Sequence, residues 1–313
     1  MRYRRLGNSG LKVSEIAIGG WFKEGEEIGE RTLTDRVAEA FERGVNYIDL
    51  ADIYGRGSVE SLYGSLLKGY PREQLVISTK CYWPMSQGIN DRGLSRKHLF
   101  ESLHSSLRRL ETDYVDLFMC HADDHETPLE ETIRAMSDLI RQGKTMYWGL
   151  CGWSAERIFE LHQVCEHLNA PKPIVHHIAY NLLERYAERE QLSLCSRLGL
   201  GITAWSPFAG GVLAHGNIVS NQGASELGEK TRIIESALLE ARHDLPILLK
   251  KLKESARESS LTMAQLSLAW VLRRPEVSSI VLSVSSQDQL IENLNLFQRD
   301  VDYSTLNELS QLF

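Results

Sequence analysis

Four residues of this sequence could act together: an aspartate that ends a short apolar run, a tyrosine five positions later, and a lysine and a histidine that each end a further run. They are Asp49, Tyr54, Lys80 and His121. A free phenol has a pKa of about 10, too high for easy proton donation at neutral pH. An ammonium within hydrogen-bond reach favours the phenolate and lowers that value, and a carboxylate holds the ammonium in place. The set would make Tyr54 a general acid toward a carbonyl under reduction, with His121 binding and orienting the carbonyl oxygen. Each residue also has an ordinary explanation: Asp49 as a loop cap, Tyr54 as loop packing, Lys80 as a snorkelling strand-end lysine, His121 as a satisfied strand-end histidine. Their common place in the pattern is what joins them.

That place depends on the runs being strands. After an N-terminal hairpin signal, Met1 to Ile16 around Gly7-Asn8-Ser9-Gly10, the pattern predicts strands at Ile16–Gly20, Tyr47–Asp49, Leu75–Lys80, Val115–His121, Met146–Cys151, Ile174–Ile178, Gly201–Ser206 and Ser279–Val284. Helical patterns follow each, at Thr32–Arg43, Val59–Leu67, Ser95–Leu110, Leu129–Gln142, Ala155–His167, Glu184–Leu198, Thr262–Arg273 and Ser286–Phe297, with Ser95, Ser154 and Ser286 at N-cap positions. Strands and helices alternating in this way predict a single (β/α)8 barrel domain over residues 1–313, plugged by the hairpin. A long irregular stretch, Pro207 to about Pro246, follows the seventh barrel strand. A doubly wound open sheet is the rival, but the first strand ends Ile-Gly-Gly-Trp and no G-x-G-x-x-G occurs. In a barrel, groups at the C-terminal strand ends meet at one mouth.

A net charge of −7 with 25% charged residues argues against nucleic acid or an anionic membrane as the main partner. No apolar run approaches membrane-spanning length, so no membrane insertion is expected. The five cysteines form neither a CxxC pair nor a secreted framework, which fits reduced thiols in a cytoplasm. The His121/His125 spacing suits a metal only on a helix, and His121 ends a strand, so no metal is assigned. His176 and His177 are strand neighbours on opposite faces, so one alone can look into the barrel.

The motifs "MRYRRLGNSGLKVSEIAIGGW", "NYIDLADIYG", "LRRLETDYVDLFMCH", "TAWSPFAGGVL" and "SVSSQDQLIEN" resemble the aldo-keto reductases, within them the branch of the voltage-gated potassium-channel β-subunits and their bacterial relatives. The resemblance covers essentially the whole chain. It implies a catalytic tetrad at Asp49, Tyr54, Lys80 and His121, the last being Asn in typical channel subunits. It implies NADPH, with NAD as the alternative, bound across the barrel mouth. The nicotinamide would stack on Trp205, near Asp49, Cys151 and His177. The pyrophosphate would run along Ser206, Pro207, Phe208, Gly210 and Gly211, and the adenine end would reach Ser285, Gln289, Glu292 and Asn293. Gly20 and Trp21 would border cofactor and substrate. Tyr82 and Trp83, with Trp21, would wall an aromatic pocket for a small-molecule carbonyl.

The chain departs from the family pattern at several of these positions. Cys151 and His177 stand where the family usually has Ser and Gln, Leu50 replaces Thr, and Ala122 replaces the Arg that often follows the histidine. Gly216 aligns with a phosphate-clamping Lys, for which Lys230 and Arg232 are the nearby substitutes. The resemblance therefore implies a carbonyl reductase first. It implies as alternatives a nucleotide-binding regulatory or scaffolding subunit and a keto-sugar or sugar-nucleotide reductase. A homo-oligomer is compatible with all three.

Overall fold

A computed structural model of the chain describes residues 1–20, 30–215, 242–283 and 286–313. The chain opens with a hairpin, β1 (Tyr3–Arg5) and β2 (Lys12–Ser14), antiparallel with Tyr3 opposite Ser14. There follow β3 (Ile16–Gly19), α1 (Glu30–Glu42), β4 (Tyr47–Asp49), α2 (Ser58–Leu67), β5 (Val76–Cys81), α3 (Arg96–Leu110), β6 (Val115–Cys120) and α4 (Leu129–Arg141). Next come β7 (Thr145–Cys151), α5 (Ala155–His167), β8 (Val175–Ala179), α6 (Gln191–Leu198), β9 (Gly201–Trp205) and α7 (Val212–His215). The chain ends with α8 (Leu245–Glu258), α9 (Met263–Leu272), β10 (Val277–Leu282), α10 (Gln287–Leu294) and α11 (Tyr303–Leu312). Strands β3 to β10 are parallel and close in the order β10-β3-β4-β5-β6-β7-β8-β9, the expected (β/α)8 barrel.

Side chains alternate between barrel interior and helix layer because the strand period is two. Tyr47, Val76, Leu117, Met119, Cys151, Val175 and Val281 pack together inside, while Ile48, Ile77, Phe118, Leu150 and Ile178 join the core shared with the helices. Two residues on from Tyr47 is Asp49, and four on from Val76 is Lys80; the next inward position past Met119 is His121. Leu6 and Val13 of the hairpin belong to the interior cluster and seal its N-terminal end. Gly7 (φ +58) lies so near Gly199 O and Gly201 N that a side chain has no room. Arg4 fixes the hairpin by donating to the carbonyls of Leu272, Arg274 and Val277.

The N-caps fall where the sequence puts them. Ser95, Ser154 and Ser286 accept from the amides of His98, Arg157 and Gln289. Most element bounds fall within three residues of those expected, and the largest difference is at α6. Helix α6 starts at Gln191, not Glu184, because Asn181 Oδ1 takes the amides of Leu183 and Glu184 into a turn before a short 3-10 segment, Tyr186–Glu188. The expected irregular stretch ends in α8, with Pro246 in its first turn, where a missing amide costs nothing. Helix α11 packs Leu306 and Leu309 inward after the last barrel unit. Both lie outside the βα rhythm from which the helices were predicted. Among the described residues no helix is long and apolar enough to cross a membrane.

Candidate active site

The end of β4 delivers a buried carboxylate to the barrel mouth. Asp49 Oδ1 accepts from Ser78 Oγ at 2.7 Å and Oδ2 from Lys80 Nζ at 2.6 Å. Lys80, fully buried on β5, also donates to Leu50 O at 2.8 Å and reaches the Tyr54 hydroxyl at 3.4 Å. Burial alone would raise the Asp49 pKa, but the Lys80 ammonium, with His177 and Ser78, holds it below the ordinary range. Burial works against the Lys80 ammonium, yet Asp49, then Tyr54 and Cys151, keep it above the usual lysine value. The pair is charged at neutral pH.

Tyr54 follows in a tight turn, its amide bonded to Ala51 O, with its ring centroid 5.1 Å from Lys80 Nζ. The net shift of its phenol is upward, which corrects the sequence expectation. Burial raises it, Lys80 lowers it by less, and Asp49 adds to the rise. The physical reason is that the ammonium sits closer to Asp49 than to the phenol, so Asp49 offsets much of its charge. A raised pKa keeps the proton on the phenol at neutral pH, the form a general acid requires.

His121 directly follows β6, its amide bonded to Cys81 O at 3.0 Å and its ring edge-on to Tyr54 with centroids 6.0 Å apart. Burial, with Lys80 and His177, pushes its pKa down to about 3, so the imidazole is neutral. Its Nδ1 is buried with no hydrogen-bond partner among the described residues. A half-buried neutral imidazole beside a protonated phenol can bind a polar oxygen.

His177 looks into the barrel and His176 away from it. His177 Nδ1 lies 2.8 Å from Thr203 Oγ1, whereas His176 Nε2 accepts from the Trp153 amide. Burial pushes the Cys151 thiol up to about 12, so it stays uncharged beside Lys80 and Asp49. Trp205, 44% exposed, presents its ring 6.5 Å from that of His177 at 34°.

Beyond Trp205 the backbone forms a cradle. Ser206 (φ 54), Gly210 (φ 70) and Gly211 (φ 106) take left-handed conformations around buried Pro207 and half-buried Phe208. The segment folds on itself, the amides of Ala209 and Gly211 donating to Ser206 O and Phe208 O at 3.0 Å. Asn181, which the sequence reading did not single out, donates to Ser206 O at 2.9 Å and fixes the start of the cradle. Its signal was a polar residue just past the inward end of β8. Gln289, Glu292 and Asn293 lie on α10, Gln289 at its capped start and Asn293 buried. Gly20 is buried, its amide bonded to Asp49 O at 2.9 Å. Tyr82 and Trp83, stacked edge to face at 5.0 Å, leave the end of β5, with Trp83 exposed. Trp21, Ser285, Gly216, Lys230 and Arg232 lie outside the described residues. A surface recess of about 740 Å³ between α2, α3 and Tyr114 holds none of these residues.

The model of the Aldo/keto reductase family matches residues 15–312. A protein of Oryza sativa subsp. japonica described as "Probable voltage-gated potassium channel subunit beta" is 39% identical over 301 residues, covering 94% of this chain and 90% of that protein. One of the same description from Arabidopsis thaliana is 38% identical over 300 residues, with the same coverage. The matches span nearly the whole chain, and on that extent the chain belongs to the aldo/keto reductase family.

Proposed function

We propose that the chain, as one barrel domain over residues 1–313, is an NAD(P)H-dependent reductase of aldehydes or ketones. The observation that carries this reading is the Lys80 ammonium held between the Asp49 carboxylate and the Tyr54 hydroxyl, with a neutral His121 beside the phenol. When bound, a reduced nicotinamide would supply the hydride. Tyr54 would give its proton to the carbonyl oxygen, and Lys80 would stabilise the phenolate left behind. His121, half-buried beside the phenol, would hold that oxygen in line.

The cofactor fits the residues present. The exposed face of Trp205 suits a flat ring and the start of α10 suits a phosphate, while family resemblance runs the pyrophosphate along Ser206, Pro207, Phe208, Gly210 and Gly211. Cys151 and His177 would face the carboxamide, with Gln289, Glu292 and Asn293 at the adenine end and Gly20 at the nicotinamide end. Family resemblance favours NADP over NAD. Tyr82 and Trp83 would wall the pocket for an apolar aldehyde or the face of a sugar, which keeps a keto-sugar within the same reading.

A second reading is a nucleotide-binding subunit of a larger assembly. It is supported by the description of both relatives as probable potassium-channel β-subunits and by the altered Cys151–His177 pair.

One experiment separates the two. NADPH and NADH are titrated by nicotinamide fluorescence, then aldehydes and ketosugars are added. The reductase reading expects nucleotide binding and turnover that falls by about 10² or more in Tyr54→Phe. Full turnover in that variant would sink it. Negligible turnover together with one stoichiometric membrane partner in a pull-down would favour the subunit.

A further inference from the structure

Asp124 stands three residues past His121, in the loop between β6 and α4, and nothing in the proposed chemistry uses it. It is buried, and both of its carboxylate oxygens are engaged. Oδ1 accepts from the Glu126 amide at 3.0 Å and Oδ2 from Thr127 Oγ1 at 2.7 Å, which folds its own loop into a turn. Oδ2 also accepts from the Leu94 amide at 2.7 Å, a bond that crosses to the loop between β5 and α3. Burial would raise its pKa, but the bonds from Thr127, Leu94 and Glu126 hold it below the usual carboxylate range, so it is charged at neutral pH. Hydrogen bonds to an ionised acceptor are the strong ones. The turn is fixed from a second side, since Arg157 of α5 donates to Asp123 at 3.2 Å.

The loop that Asp124 reaches begins just after Lys80 and Cys81. It runs over residues 82–94 without helix or strand, and residues 83, 84 and 86–90 are exposed. Burial of its own side chains therefore does little to order it. Its base is what holds it. The Gly93 amide donates to Tyr82 O at 2.8 Å and closes the loop, and the next amide, that of Leu94, is the one bound to Asp124. Thr132 Oγ1 of α4 donates to Leu94 O at 3.1 Å. Gly93 (φ +81) lies so near Asp124 that a side chain there would meet Oδ2 at 2.7 Å. Tyr82, at the closed base, carries the ring of Trp83 edge to face against its own. Contacts thus run unbroken from the carboxylate through Leu94 and Gly93 to Tyr82 and Trp83.

We infer that Asp124 is a positioning residue for the aromatic wall: by holding the base of the 82–94 loop against the loop that follows His121, it sets where Tyr82 and Trp83 stand at the barrel mouth. It acts on which carbonyl compounds fit, and leaves the hydride and the proton to others. That consequence rests on the reductase reading; the order of the loop does not.

The test uses the full chain. Arg92 is exposed and its bond to Gly93 lies in the closed base, so trypsin cuts there only when the base opens. Mass spectrometry follows the rate of that cut. The rate is expected to rise about tenfold or more in Asp124→Ala, which removes the acceptor, and in Gly93→Ala, which presses a methyl on Oδ2 with the carboxylate in place. Thr127→Val takes one donor from the same oxygen but leaves the Leu94 bond, and is expected to be cut at the wild-type rate. With NADPH, KM for 4-nitrobenzaldehyde is expected to rise about fivefold or more in the first two variants, with kcat little changed. KM for propanal, too small to need the wall, is expected to stay level. Unchanged cutting after Arg92 in Asp124→Ala or in Gly93→Ala overturns the inference, and so does cutting of Thr127→Val as fast as Asp124→Ala. Equal changes of KM for the two aldehydes, or none, in the fast-cut variants overturn it too. Should Asp124→Ala fail to fold, Gly93→Ala decides. No turnover of either aldehyde by the wild type, with the cutting pattern as expected, counts against the reductase reading alone.

Discussion

His177 Nε2 lies 3.9 Å from Asp49 Oδ2, too far for a hydrogen bond, and the Lys80 ammonium is bonded to that same oxygen at 2.6 Å. Burial, with Lys80 against Asp49, pushes the imidazole down to about 4, so it is neutral at neutral pH. Because Nδ1 is engaged by Thr203 Oγ1, Nε2 alone remains to meet a carboxamide.

A neutral ring nitrogen either donates or accepts, while an amide does both through separate atoms. His177→Gln is therefore expected to bind NADPH and NADH more tightly, by about threefold to tenfold for one added hydrogen bond. Fluorescence titration measures it. Unchanged affinity for both nucleotides would mean that this residue does not touch the carboxamide.

Lys80→Met tests the buried pair. It leaves Asp49 ionised without its partner, and breaking such a pair costs about 3–5 kcal/mol. Thermal unfolding should move down accordingly. Asp49→Asn in the same chain should restore part of the loss, because no charge is then left unpaired. A double variant no more stable than Lys80→Met would show that the lysine stabilises through its packing.

The barrel and the meeting of these groups were legible because they depend on a period of two. Once Tyr47 faces inward so does Asp49, and the same parity brings Lys80, His121, Cys151 and His177 to one mouth. What parity does not carry is depth. The sign of the Tyr54 shift depends on burial by neighbours distant in sequence, and the sequence expectation weighed only the nearby lysine. Asp52 reads as one more polar loop residue until α3 is laid over it. Asn181 gains its place from the register of β8 against β9, where Ala179 pairs with Trp205. Helices α8 and α11 decorate the barrel, and no repeat announces them.

Gly7→Ala separates stability from activity. At φ +58 the new methyl is strained, and it would press on the backbone of Gly199 and Gly201 at the sealed end of the barrel. A loss of at least about 2 kcal/mol is expected from strain and clash together. The folded fraction should keep its nucleotide affinity, since the mouth lies at the other end. A weakened affinity at full folding would show that the hairpin communicates with the site.

Acid should destabilise the protein through its buried histidines. His176, His177 and His121 are held neutral chiefly by burial, with folded values of about 3, about 4 and about 3. An unfolded histidine titrates near about 6.5. A depressed folded value means that the unfolded chain binds more protons as pH falls, so stability is full above about pH 6.5 and declines toward about pH 4. For His177 the difference is on the order of 3 kcal/mol over that window. Asp52 pulls the other way, since its folded value is raised and its contribution grows as pH falls from about 7. Melting temperatures measured from pH 7 to pH 4.5 should therefore fall more steeply in the wild type than in His177→Gln, because the variant lacks one of the groups that acid must charge. Parallel curves would mean that His177 keeps its ordinary pKa in the folded chain, and the neutral imidazole facing Asp49 would have to be abandoned.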